Sequence, residues 1–154
     1  MSTEQFRSVL GNFASGVTII TANRENVPFG LAANSFTSVS LDPPLVSFCA
    51  AHSSTTYPHI RATGRFCVNV LADDQGDLAL LFARRDADRF SDTKTVDSPL
   101  GSPILDGALA WLDCVIEQEH LAGDHDIVVG RVLHAYVDTD RSPLLYFRGK
   151  FTIV

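Results

Sequence analysis

"ALAWLDCVIEQEHLAGDHDIVVGRVLHAYVD", residues 108–138, decides the fold. Leu109, Trp111, Asp113, Val115 and Glu117 fall on one side of its first half; Ala110, Leu112, Cys114 and Ile116 fall on the other. A period of two is the signature of a β-strand. "DIVVGRVLHAYVD" reads as a second long strand, and Gly123-Asp124 between them are good turn residues. The segment is therefore expected to be a long antiparallel hairpin with a titratable triplet, Asp124, His125 and Asp126, at its tip.

The rest of the chain is expected to build a sheet around that hairpin. "VTIITA" from Val17 and "VPFGLAANSF" from Val27 read as paired strands joined across "NREN". "TSVSLDPPLVSFCA" reads as strand, Pro-Pro turn and strand, because Pro43 and Pro44 cannot donate to a ladder. "RFCVNVL" is a further strand, and "SPLLYFRGKFTIV" supplies one or two more. Phe6, Val9, Leu10 and Phe13 have the i, i+3, i+4, i+7 spacing of a short helix, with Ser2 or Thr3 capping it and Gly16 ending it. "HSSTTYPHIRATG" turns weakly helical and stops at Gly64. "DDQGDLALLFA" is expected to be a helix that starts near Asp73 or Asp74. Residues 84–107 are expected to be mostly loop, longer than connections usually are and of the kind that carries function. Seven or eight strands with short turns and two or three helices predict an antiparallel barrel in one domain over 1–154.

The 154 residues are 45% hydrophobic and 19% charged, a globular composition. A net charge of −6 argues against a broad nucleic-acid footprint. Cys49, Cys67 and Cys114 are odd in number and lie in apolar runs, which points to buried thiols in a reducing compartment. No signal peptide or membrane-length apolar run is visible, so the cytoplasm is the expected location. His120 and His125, and His52 and His59, lack zinc spacing, so no metal is expected. GxSxG, GxGxxG and a P-loop are also absent from the sequence.

Two hydroxyl clusters follow strands: Asn34, Ser35, Thr37, Ser38 and Ser40, then Ser53, Ser54, Thr55 and Thr56. Hydroxyls and loop amides suit a phosphate or a ring of heteroatoms, although turns are rich in such residues anyway. Arg84, Arg85, Arg89 and Lys94 are the densest basic group; interleaved Asp86, Asp88 and Asp92 leave a solvated loop equally open.

Together "FASGVTIITA", "GLAANSFTSVSLDPPLVSFC", "GRFCVNVL", "GDHDIVVGRV" and "PLLYFRGKF" resemble the short-chain flavin reductases that serve two-component monooxygenases, in order from about Phe6 to Phe151. The resemblance implies a mainly β fold: an antiparallel Greek-key split β-barrel of the FMN-binding type with two or three flanking helices, usually a homodimer. It implies reduction of FMN or FAD by NADH or NADPH, with transient transfer of reduced flavin to a monooxygenase. It places Asn34, Ser35, Phe36, Thr37 and Ser38 along the flavin ring edge and ribityl chain, Ser53, Ser54 and Thr55 near the flavin phosphate, and Arg89 and Phe90 near phosphate or ring. It associates Gly123, Asp124 and His125 with the nicotinamide nucleotide, and adds Tyr146, Arg148 and Gly149 from the last block. His125 is the expected catalytic residue, in a positioning role. A non-catalytic flavin-binding barrel, a pyridoxine-phosphate-oxidase-like enzyme and a barrel for an apolar ligand are the alternatives.

Overall fold

The computed structural model describes residues Met1–Val154. The elements begin α1 (Thr3–Leu10), β1 (Ser15–Gly16), β2 (Thr18–Arg24), β3 (Val27–Ala33), β4 (Thr37–Leu41), β5 (Pro44–Ala51), α2 (Tyr57–Thr63) and β6 (Arg65–Val70). They continue α3 (Gly76–Ala83), β7 (Thr95–Asp97), β8 (Pro103–Leu105), β9 (Ala110–Ala122), β10 (His125–Val137), β11 (Leu144–Phe147) and β12 (Lys150–Ile153).

The expected long hairpin is the spine of the molecule. β9 and β10 pair from Ala122↔His125 to Ala110↔Val137, and Gly123 takes the turn at φ 66°. Seven strands form one sheet in the order β3-β2-β6-β9-β10-β5-β4. Its edge strands, β3 and β4, are consecutive in the chain and joined only by Asn34-Ser35-Phe36. The sheet therefore rolls round on itself while its edges stay unpaired, which is a split barrel. Glu25 and Asn26 make the tight β2–β3 turn, both in the left-handed region.

The core has two parts. Ile20, Phe48, Phe66, Val68, Cys114 and Val128 fill the barrel beneath α2. Val17, Ile19, Leu71, Ala79, Phe82 and Leu105 form a second cluster that seats α3. Gly30 of β3 is required there: a Cβ on it would lie 2.6 Å from Phe82 and 3.1 Å from Phe90. The missing side chain draws α3 and the following loop onto the edge of the sheet.

Two expectations need correction. There are twelve strands rather than seven or eight, because β1 is a two-residue addition, the last block divides into β11 and β12, and the 84–107 segment holds the β7–β8 hairpin. That hairpin is held by a buried polar residue. Asn69 donates to the carbonyls of Ile19 and Pro103 and to the Thr21 hydroxyl, and it accepts from the Leu105 amide at 2.8 Å. Helix α1 ends at Leu10 rather than at Gly16. The Gly11 N–H donates to the Arg7 carbonyl and the Asn12 side-chain Nδ2 to the Ser8 carbonyl, satisfying the terminal acceptors early. Ser15 and Gly16 then pair with β11. Helix α3 starts at Gly76, near Asp73 and Asp74 as expected, and Asp74 pairs with Arg141. No helix is long and apolar enough to cross a membrane.

Candidate active site

The split between β3 and β5 opens into a groove. Its centre is a cavity of about 270 Å³ lined by Leu31–Ser35, Cys49–Ala51, Ser54 and His125. A second cavity of about 240 Å³ continues from it and is lined by Ser53–Thr56, Arg85 and Arg89. A third of about 610 Å³ opens on the other side of Ala32–Asn34, against Leu80, Tyr146, Gly149 and Phe151. A larger cavity of about 660 Å³, between the β7–β8 hairpin and Trp111-Tyr136, shares no residue with these three.

The backbone of β3 contributes directly. Its register with β2 is unbroken, and the Gly30 carbonyl accepts from Arg89 on the side away from β2. In an antiparallel ladder alternate residues point the same way, so the Ala32 N–H and C=O also face outward, unpaired, into the groove. Pro28 falls on the same outer side and loses no ladder bond. The side chains at the surface of the groove are small, Ala32 on β3 and Ala51 on β5, while their neighbours Ala33 and Ala50 point into the barrel core. That leaves a flat slot for a planar ring.

Arg89 closes one end. One of its guanidinium nitrogens donates to the Gly30 carbonyl at 2.7 Å and the Thr56 hydroxyl at 3.0 Å, and the other to the Arg84 carbonyl. None of these acceptors carries a charge, and its buried Nε has no partner. Burial lowers its pKa from the ordinary guanidinium value, which Asp86 partly opposes. A half-buried cation without a paired carboxylate favours an anion beside it. Ser54 stands next to it. Its hydroxyl oxygen accepts from the Thr56 and Tyr57 amides, which leaves its proton free to donate to a ligand.

His125 stands at the other end, at the start of β10. Its Nδ1 lies 2.6 Å from Asp124 Oδ1. This bond fixes the imidazole tautomer and leaves Nε2 free. It also holds the Asp124 carboxyl below the usual carboxylate range. Behind the tip, Asp126 lies 3.0 Å from His52 Nε2 and 2.7 Å from Arg61. The His52 bond, followed by Arg61, lowers its pKa as well. Arg61 also bonds Glu119 at 2.8 Å and sits over the Tyr57 ring.

The structure brings Asn34, Ser35, Ser53, Ser54, Thr55, Arg89, His125, Tyr146 and Gly149 to one continuous groove. Ser35 additionally accepts from the Cys49 amide, tying β3 to β5 across the split. Asp124 is exposed and reaches the groove only through His125. Phe36 packs on the barrel core, and Thr37 and Ser38 lie on edge strand β4. Phe90 packs edge-on to Phe82 over Gly30 and lines an adjoining cavity that also includes Thr56 and Arg89. Arg148 turns away to Asn12 of the α1 terminus, in a left-handed conformation. Thr56 and Arg85, named in the hydroxyl and basic clusters, line it too, and lining residues that the sequence did not single out for a site include Leu31–Ala33, Cys49–Ala51, Leu80, Ala83, Lys150 and Phe151. One signal for some of them was available: "FGLAANS" and "FCAAHSS" put Ala-Ala before a polar residue at the ends of two strands, where Ala is otherwise disfavoured. Cys67 and Cys114 are buried thiols with pKa values pushed upward, that of Cys114 to about 12, so neither is a nucleophile.

A slot bounded by an unpaired cation and hydroxyls at one end, and by an oriented imidazole at the other, fits a flavin nucleotide approached by a second ring. The family model described as "Flavin reductase like domain" matches residues 10–154. The chain belongs to that family, and its activity is the nicotinamide-dependent reduction of flavin. It is 47% identical over 148 residues to the reductase subunit HsaB of a flavin-dependent monooxygenase from Rhodococcus jostii, covering 96% of this chain and 76% of that one. It is 40% identical over 150 residues to the FMN reductase (NADH) SmoA of Agrobacterium fabrum, covering 97% and 85%. The NADH:FAD oxidoreductase SgcE6 of Streptomyces globisporus, solved with NAD and FAD fragments, superposes with a TM-score of 0.92 at 37% identity, covering 97% of this chain and 90% of that one.

The groove residues carry a first prediction. Arg89→Met keeps the stem but removes the charge, and flavin affinity is expected to fall by roughly tenfold or more, from one charge-assisted contact of about 1.5–3 kcal/mol. Fluorescence titration with FMN and FAD measures it. Unchanged affinity would make Arg89 a clamp for its own loop and nothing more.

Proposed function

We propose that this chain binds flavin in the β3–β5 groove and positions a reduced nicotinamide nucleotide over it with His125. The unpaired Arg89 guanidinium beside Ser54, at the mouth of an alanine-lined slot, is the observation that carries the reading. A bound flavin supplies the electron acceptor, and reduced nicotinamide supplies the hydride. The chain's own part is binding and orientation. Ser53, Ser54, Thr55 and Arg89 take the phosphate. Ala32 offers its free edge amide and carbonyl to ring heteroatoms, and Asn34 and Ser35 border the same edge. His125, with Asp124 fixing its tautomer, presents Nε2 to the incoming nucleotide. No protein nucleophile is needed, because aligned stacking at about 3–3.5 Å supplies the near-attack geometry.

NADH is the proposed donor, the nucleotide named for both the Agrobacterium and the Streptomyces proteins. Those two names differ in flavin, so FMN and FAD are both proposed as acceptors. The product, reduced flavin, is proposed to pass to a monooxygenase component, as the name of the Rhodococcus relative suggests. A cytoplasmic homodimer completes the reading. The uncovered apolar residues of α1, Val9 at 63% and Leu10 at 54% exposed, with Phe13 beyond its end at 80%, support self-association. Three free cysteines support a reducing compartment.

The test is the near-ultraviolet absorbance of NADH, then NADPH, with purified protein and added FMN or FAD. Flavin-dependent loss of absorbance is expected, fastest with NADH. No loss with any pair, despite measurable flavin binding, would make the chain a flavin-binding module without turnover.

A further inference from the structure

The charged cluster behind the hairpin tip has no place in the groove itself. Consecutive strand residues point to opposite faces. His125 lines the groove, while Asp126, next to it in β10, turns toward α2. Its two carboxylate oxygens are divided between two anchors. One lies 3.0 Å from His52 Nε2, and the other accepts from Arg61 at 2.7 Å. His52 and Arg61 flank the Ser53–Thr56 loop, one before it and the other in the helix after it. Arg61 also holds Glu119, on β9 of the same hairpin. The His52 amide bonds back to the Asp124 carbonyl at 2.9 Å, so the tip is gripped by main chain as well.

We propose that Asp126 is a positioning residue for hydride transfer, latching the hairpin tip that carries His125 to both ends of the loop that receives the flavin phosphate. The proposal rests on His125 and the Ser53–Thr56 loop having the roles assigned above. Two rings must meet at a fixed separation, yet the residues that hold them come from segments about seventy positions apart. β5 and β10 pair up to His125↔Ala51 and no further. Beyond that point one main-chain bond, from the His52 amide to the Asp124 carbonyl, and the Asp126 side chain set the relative height of loop and tip. Asp126 is the one acceptor that both flanking side chains share, so it ties the nucleotide end of the site to the flavin end without touching either ligand. Its exposed charge network is weak as a source of global stability. It acts instead on a distance, to which transfer is steeply sensitive: a misplacement of about 1 Å costs up to roughly 100-fold.

The experiment is a double-mutant cycle on the full chain, with steady-state kinetics in NADH, flavin affinity and melting temperature read for each protein. Asp126→Asn keeps the shape and removes the carboxylate that His52 and Arg61 share. It is expected to lower kcat/KM for NADH roughly tenfold, to move flavin affinity by less than about twofold, and to have little further effect once His125→Ala is present. Non-additivity of that kind marks a residue acting through His125, whereas a merely structural role would give equal losses in both backgrounds. Equal losses, a matching fall in flavin affinity, or unaltered kinetics would each overturn the proposal. Arg61→Gln and His52→Asn remove one anchor each and carry the same cycle if Asp126→Asn fails to fold. If His125→Ala alone leaves turnover intact, the assignment of His125 fails first, a result distinguishable from failure of the latch.

Discussion

His125→Ala is expected to lower kcat/KM for NADH by roughly 30- to 100-fold while flavin affinity changes less than about twofold. The asymmetry follows from where the side chain stands. His125 borders the central cavity at its rim, at the start of β10. The phosphate end of the groove, with Ser53, Ser54, Thr55 and Arg89, does not include it. Alanine removes an imidazole already fixed by its Nδ1 bond to Asp124, and with it the surface that orders the second ring. Steady-state kinetics beside a flavin titration separate the two effects. Parallel losses would show that His125 shapes the flavin slot, and identical kinetics would return Gly-Asp-His to a plain hairpin turn.

Gly130→Val is expected to destabilise the protein by roughly 3 kcal/mol, at the upper end for overpacking a core. Gly130 lies mid-way along β10, where the register with β9 shifts by one residue after Val129. A Cβ there would run into the Phe66 ring and come within 3.2 Å of Cys114 Cβ. Phe66 is fully buried and packs edge-on against Phe48 at 5.1 Å, so it has no free direction in which to move. Denaturant unfolding measures the change. A midpoint near that of the unaltered chain would mean that the barrel core repacks around the new side chain. The flavin slot opens beside the same β5–β10 pair, so activity should fall along with stability.

The parts of this fold legible in the sequence are those where a period and a turn agree. Residues 109–117 alternate, an aliphatic run opens the second half, and Gly-Asp stands between the halves; the segment forms the spine with the turn where expected. The two-residue turn at Glu25-Asn26 and the helix stop at Gly64 read equally well. The β7–β8 hairpin did not, because its three-residue strands are too short to show a period. What holds it was visible all the same: an Asn in the middle of the apolar run "RFCVNVL" needs partners when buried, and the hairpin backbone supplies them. At the site, hydroxyl and charged residues could be named from sequence, but not their direction. Arg148 adjoins a groove residue in the chain and points to Asn12, while the Phe90 ring fills the space that Gly30 leaves beside Phe82. The alanines were overlooked because a site made of missing side chains resembles ordinary strand filler. The free edge of β3 is a property of tertiary structure, unreadable until the strand order is known.

That free edge has a cost outside catalysis. An unpaired strand edge is a template for joining another chain's strand, and proteins usually blunt such edges with proline, charge or a covering element. β3 is guarded along part of its length: Pro28 removes one donor, and Arg89 occupies the Gly30 carbonyl. At Ala32 no such guard exists, and the edge opens into the central cavity. A flavin seated there, as proposed, would act as the missing cover. Storage and handling of the protein would then become a matter of ligand supply: stocks stripped of flavin are expected to associate through this seam more readily than flavin-loaded ones.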